Sequence, residues 1–221
     1  MIEEMKKPEK EREQEQEQEQ GRDRELERRR ERDRDFAWVR ACLAGDRHAF
    51  DELVLRYQNR VFNLCYRFLG EHEEANDCAQ EAFVKAFKSL KSFRFDSAFA
   101  TWLYSITVNT CKNRLKSADY RYRKRSVSID GASGKDDRSS SLEIEDAAPS
   151  PFTQLAEKEM ESLLQRAIED LPQDARTVVI LRDVEGLSYE EIARITGYNL
   201  GTVKSRLARS RQQLRDMLKG V

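Results

Sequence analysis

Thr202, Ser205, Arg206 and Arg209 recur at i, i+3, i+4 and i+7 near the end of the chain. That spacing puts four side chains on one face of a helix. Hydroxyls beside guanidinium groups suit the edges of nucleic-acid bases. Arginine donates two parallel hydrogen bonds to guanine, and lysine mostly neutralises phosphate. Lys204, Arg211 and Arg215 lie on an adjoining face. Residues 200–219 hold six Lys/Arg against one Asp, a net of +5. A second polar edge is formed by Asn109, Lys112 and Asn113, which follow the loop SFRFDSAF at 92–99 with Phe93, Arg94 and Phe95. Aromatics beside an exposed loop can hold an unstacked base, and arginine or lysine can hold single-strand phosphate. For Phe99, Trp102 and Ile106 the plainer reading is core packing. Asp77, Gln80 and Glu81 form a third set, acidic and polar, that suits a basic protein surface and not DNA. No carboxylate or histidine constellation marks an enzyme, so no catalytic residue is expected.

A basic helix is often only a solvated face. What points to DNA is the stretch in front of it. Ser188 with Glu191 makes a capping box, and Leu187 with Ile192 has the spacing of a hydrophobic staple. Gly197 suits the left-handed position that ends a helix. Asn199 then caps the next one. Small Ala193 lets the two helices cross closely. Val203, Leu207, Leu214 and Met217 form the packing stripe of the second helix. This is the grammar of a helix-turn-helix.

The elements upstream are helical too, with no strand alternation, so the fold class is all-α: two small helical domains joined by a flexible linker, the C-terminal one a helix-turn-helix. Residues 1–34 are a charged, Gln-rich tail with almost nothing to bury, expected to be disordered or a lone polar helix. Residues 35–116 form the first domain. Asp35 to Ala44 is a short helix; a second starts after Asp46. A third runs from about Glu73 to Leu90 with Ala79, Ala82, Phe83, Ala86, Phe87 and Leu90 inward. A fourth runs from about Ala98 to Lys116. Residues 117–151 are the linker, basic at the start and then rich in Gly, Ser and Pro. Residues 152–219 form the second domain. Its first helix, Thr153 to Asp170, turns Leu155, Leu163, Leu164, Ala167 and Ile168 inward, and Pro172 opens another from Gln173 to Val184.

The chain has 221 residues, 37% of them charged, with a net charge of −1. The balanced total hides basic runs at 110–125 (seven Lys/Arg against one Asp) and at 200–219. Local fields matter more than the total here. Cys42, Cys65, Cys78 and Cys111 show no CxxC spacing, and His48 and His72 complete no ligand cluster. No metal and no cofactor are expected. Three of the four cysteines fall in apolar helical patterns and read as buried free thiols; a redox-sensing pair is the alternative. No signal peptide and no long apolar run appear, so the expectation is a soluble, cytoplasmic protein without membrane insertion.

Four stretches together resemble a known family: AFDELVLRYQNRVF at 49–62, DCAQEAFVKAF at 77–87, SFRFDSAFATWLYSITVNTCKNRL at 92–115 and LPQDARTVVILRDVEGLSYEEIARITGYNLGTVKSRLARSR at 171–211. In order and spacing they are similar to the extracytoplasmic-function (ECF) sigma factors of bacterial RNA polymerase. The resemblance implies a non-catalytic specificity subunit, with 35–116 as region 2 and 152–219 as region 4. It implies that Asp77, Gln80 and Glu81 dock on the β′ clamp helices of core RNA polymerase, with the β flap as a further contact. Phe93, Arg94, Asn109, Lys112 and Asn113 would recognise and open the minus-ten element of promoter DNA, with Lys85 and Ser89 flanking a flipped base. Thr202, Lys204, Ser205, Arg206, Arg209 and Arg211 would read the minus-thirty-five element. It also implies an anti-sigma factor as regulator and a monomer when free. Two departures stand out: Phe95 replaces the glycine common in FRGDS, and Ser105 the arginine common in TWLYRI. A free-standing repressor using the same helix-turn-helix is the competing class; it would usually need a dimer interface and a sensor domain.

Overall fold

The structure, a computed structural model, describes residues 9–117 and 151–219, with side chains over 26–117 and 159–219. Every regular element among the described residues is helical. In chain order they are α1 (Glu9–Leu43), α2 (His48–Leu69), α3 (His72–Ser89), α4 (Phe99–Lys116), α5 (Pro151–Asp170), α6 (Gln173–Val179), α7 (Tyr189–Thr196) and α8 (Leu200–Leu218). A single 3₁₀ turn, Leu90–Ser92, follows α3. Residues 118–150 of the expected linker lie outside the described residues.

α1 is longer than the short helix expected from Asp35, because the helix runs on through the charged segment from Glu9. Its end belongs to a compact unit made of Met1–Arg56 and Ser89–Phe99. There Arg56 reaches back to α1. Its Nη2 stands 2.7 Å from Glu31 Oε1, and its Nε 3.4 Å from Asp35 Oδ1. Asp35 is only 2% exposed, and a carboxylate that buried needs such a partner. Phe36 meets Phe93 and Phe95 edge-on at 5.9 and 5.2 Å.

The second unit comprises Tyr57–Lys88 and Ala100–Val221. α2 buries Tyr57, Val61, Leu64, Cys65 and Phe68 along one stripe, and α4 buries Leu103, Thr107, Val108 and Cys111. α5 contributes Ala167 and Ile168; α6 and the turn after it contribute Val178, Val179, Ile180 and Leu181. Beyond Val179 the helix widens: Glu185 N donates to Ile180 O at 3.0 Å, an i→i+5 bond. The expected helix to Val184 thus ends in a wide turn, which Gly186 leaves at φ 68°. The carbonyl end of α5 is closed by a side chain. Arg176, 8% exposed, donates to the carbonyls of Glu169 and Leu171 and, at 2.6 Å, to Phe68 O at the end of α2. Nearby, Arg67 donates to Gln165 Oε1 at 3.1 Å and Glu161 Oε1 at 2.8 Å.

Three residues expected inward point to solvent: Phe87 (44% exposed), Leu164 (37%) and Met217 (40%). Each sits at the margin of its stripe, where the neighbouring helix no longer covers it. On α8 the buried position is taken instead by Ser210, whose hydroxyl donates to Arg206 O at 2.8 Å and so tolerates burial. Leu155 lies outside the described side chains.

Candidate nucleic-acid interface

The recognition helix is set by short-range bonds. Ser188 Oγ accepts from Glu191 N at 3.2 Å while Glu191 Oε2 accepts from Ser188 N at 2.8 Å, the full capping box. Gly197 closes α7 at φ 74°. Asn199 Oδ1 accepts from Thr202 N at 2.8 Å and opens α8. With Val203 and Leu207 buried, the helix presents Lys204, Ser205, Arg209 and Arg211 as exposed side chains and Thr202 and Arg206 as half-buried ones.

Several of these groups already have partners. Arg206 donates to Asp174 Oδ2 at 2.7 Å and lies 4.5 Å from the Tyr198 ring centroid. Lys112, from the α4 edge, has its Nζ 3.8 Å from the other oxygen of Asp174. One carboxylate therefore holds a residue from each of the two expected DNA-contacting sets. The Tyr198 hydroxyl bond, then Arg206 and Lys112, keep the Asp174 carboxyl below its ordinary range. Burial pushes the Lys112 amine down, against the pull of Asp174. Arg211 pairs with Asp183 through both carboxylate oxygens, and Lys204 Nζ lies 5.6 Å from the Tyr189 ring centroid. Sequence spacing missed Asp174, Tyr198 and Asp183, because each meets its partner only through folding.

Asn109 and Asn113 are exposed, one turn apart on α4. Asp77, Gln80 and Glu81 are exposed together on α3. Glu81 Oε1 stands 2.8 Å from Lys85 Nζ, and its Oε2 3.7 Å from Arg114. Lys85 Nζ also donates to Thr110 Oγ1 at 3.3 Å. Ser89 ends α3, its carbonyl accepting from Ser92 Oγ at 2.7 Å. Arg94 is exposed, but Phe93 is 5% exposed, packed among Phe36, Phe95 and Phe99. Ser105 turns its hydroxyl onto Trp102 O at 2.7 Å, within its own helix.

Phe95 adopts φ 60°, the left-handed region that favours glycine. For a residue with Cβ this costs about 1–2 kcal/mol. Contacts offset it. The ring lies 5.2 Å from Phe36 and 4.8 Å from Phe93, with Arg40 5.3 Å from its centroid. Aromatic pairs contribute about 0.5–1.5 kcal/mol each and an exposed cation–π contact about 0.5–1. Phe95→Gly is expected to cost about 1–2 kcal/mol, losing contacts but relieving strain. Phe95→Ala is expected to cost about 1 kcal/mol more, keeping the strain without the contacts. Urea unfolding of both variants checks the order, and an alanine variant more stable than the glycine one would refute the account.

The cysteines also meet. The lack of CxxC spacing does not separate them in space: Cys65, Cys78 and Cys111, each 0% exposed, bring their sulfurs within 4.8 Å of one another. All three are buried free thiols, as their apolar helical patterns imply. They come from three helices, 13 or more residues apart, so no local pattern announces them. Cys42 stands apart, half-buried.

The fold and the capped basic helix define a helix-turn-helix protein of the transcription class. Two families match in order, "Sigma-70 region 2" over residues 53–121 and "Sigma-70, region 4" over 161–214. The RNA polymerase sigma-H factor of Pseudomonas aeruginosa is 42% identical over 170 residues, 77% of this chain and 86% of that protein. The ECF RNA polymerase sigma-E factor of Escherichia coli K12 is 41% identical over 170 residues, with the same two coverages. Among solved structures, the sigma factor RpoE of Bartonella quintana, in complex with the anti-sigma factor NepR, matches with a TM-score of 0.54 at 27% identity, over 77% of this chain and 96% of that one. CnrH, in complex with the cytosolic domain of CnrY, shares the fold with a TM-score of 0.60 at 22% identity, over 85% of this chain and 98% of that one. The chain belongs to the ECF sigma factors, which direct promoter-specific transcription initiation. No helix among the described residues is long and apolar enough to cross a membrane.

Proposed function

We propose that the two parts of the chain share one promoter address. The observation that carries this reading is the succession of region 2 and region 4 in one chain, at about 40% identity to sigma-H and sigma-E factors. Residues 35–116 act as the region 2 domain and 152–219 as the region 4 domain, with 117–151 linking them. The exposed α3 face of Asp77, Gln80 and Glu81 docks on the β′ clamp helices of core RNA polymerase. The loop at 92–99 and the α4 edge of Asn109, Lys112 and Asn113 take the minus-ten element. There Arg94 and Lys112 hold phosphate, while Lys85 and Ser89 flank the flipped base. Phe93 acts from inside the loop, as the packing that fixes its shape. Thr202, Ser205, Arg206 and Arg209 read the minus-thirty-five element in the major groove, supported on phosphate by Lys204 and Arg211.

Unstacking a base costs a few kcal/mol, which stacking and hydrogen bonds to that base offset. The chemistry of RNA synthesis belongs to the polymerase, so the chain needs no catalytic group. Such a subunit works in the cytoplasm, where polymerase and promoter meet. A regulator of the anti-sigma kind, like the NepR seen with RpoE of Bartonella quintana, covers its surfaces.

Footprinting tests the reading: protection of both promoter elements is expected only with core polymerase. Strong dimeric binding by the chain alone would instead make it a free-standing regulator. Gln80→Ala with Glu81→Ala is expected to weaken core binding by about 10- to 30-fold, in the range of interface hot spots. Helical content should be unchanged, because Gln80 and Glu81 are exposed. Unchanged affinity in a pull-down with core enzyme would remove α3 from the docking surface.

A further inference from the structure

Cys65 of α2, Cys78 of α3 and Cys111 of α4 point at one spot in the core of the second unit. The Cys78 and Cys111 sulfurs are 3.5 Å apart and those of Cys111 and Cys65 3.7 Å. A thiol that packs merely as a small hydrophobe needs no second sulfur, and a disulfide needs two. Three from separate helices, two pairs in contact and all within 4.8 Å of one another, match the corners of a three-coordinate thiolate site. With metal–sulfur bonds of about 2.3 Å, the sulfurs of a flat trigonal site lie about 4.0 Å apart. Both separations are within about half an ångström of that.

The ligand set selects the class of ion. Thiolates favour soft metals, Cu(I) and Zn(II) foremost. Structural zinc is four-coordinate, and the cluster holds three ligating groups among the described residues. All three sulfurs are shut off from water, so solvent does not readily supply a fourth. A d¹⁰ monovalent ion that accepts three sulfurs fits better.

We propose that Cys65, Cys78 and Cys111 form a buried three-thiolate site for a soft monovalent metal ion of the Cu(I) class. Binding forms three metal–sulfur bonds and releases to solvent the protons those thiols lose; no electron is transferred. The site ties α2, α3 and α4 together from behind. α3 carries Asp77, Gln80 and Glu81 on its outer side, and α4 carries Asn109, Lys112 and Asn113. Occupancy therefore stiffens the helices that bear both faces.

The test is an anaerobic titration of the full chain with Cu(I) against a chromogenic Cu(I) chelator. One equivalent is expected to be retained, and X-ray absorption should show sulfur-only coordination by three atoms. Cys65→Ala, Cys78→Ala and Cys111→Ala are each expected to weaken binding by about 100-fold or more, since a lost ligand costs more than a lost partner behind one. Cys42→Ala should leave binding unchanged. Cu(I) should also raise the thermal midpoint of the unaltered chain, which does not depend on any variant folding. Loss of all copper to the chelator, retention by a chain lacking the three cysteines, two-sulfur coordination, or a Cys78–Cys111 disulfide found by mass would each overturn the proposal.

Discussion

Arg176→Ala is expected to lower the stability of the chain by about 3 kcal/mol, the largest effect of any single change considered. The guanidinium is buried, and its three carbonyl partners come from the end of α2 and the end of α5. Helix ends leave carbonyls without an intrahelical partner. An unsatisfied buried acceptor costs about 1–3 kcal/mol, and hydrogen bonds to a charged donor are worth about 1.5–3. The thermal midpoint should fall by roughly 6–12 °C for a chain of this size. Circular dichroism during heating and urea unfolding measure it. Arg182→Ala is the matched control: Arg182 gives one described carbonyl bond, to Leu187 O at 2.7 Å, at a half-buried position. It should cost about 1 kcal/mol or less. Equal losses in the two variants would refute the role assigned to Arg176.

The second large effect is on DNA. Arg209→Ala is expected to cost about 1–3 kcal/mol in upstream-element recognition, roughly 5- to 150-fold, with polymerase affinity intact. Arg209 is the clean probe of this face because it is exposed, whereas Arg206 is held by Asp174 and stacked on Tyr198. Replacing Arg206 would also release Asp174 and mix two effects. Arg209→Lys separates charge from geometry. Lysine keeps the attraction to phosphate but lacks the planar fork that fits a guanine edge. Affinity for all sequences should then fall little while discrimination between them falls most. Binding of the holoenzyme to promoters altered at single positions measures both. An equal loss of core affinity in Arg209→Ala would show that the face is misassigned.

Much of the recognition helix was legible in the chain. Caps and turns act over three or four residues, so Ser188, Glu191, Gly197 and Asn199 could be placed one by one, and the structure puts each where expected. The buried stripe of α2, Tyr57, Val61, Leu64, Cys65 and Phe68, has the helical period. The misses lie at stripe margins. Phe87, Leu164 and Met217 satisfy the period but lack a neighbour to cover them. How wide a buried face becomes depends on the partner helix, which no local pattern describes. Phe95 is a sharper case. Its residue type argues against a positive φ, and only Phe36, Phe93 and Arg40 packed around it make that backbone worth holding.

By itself the sequence determined the helical class, the helix-turn-helix and which polar side chains share a helix face, because these rest on periodicity and on bonds between near neighbours. Tertiary structure alone decided the rest. It joined Lys112 and Arg206 through Asp174, closed α5 with Arg176, and brought Cys65, Cys78 and Cys111 together. Those bonded partners are separated by 5 to 62 residues. The physical reason is the same in each case: whether two groups meet depends on which helices pack and at what rotation, and that is fixed by the shape of the whole core.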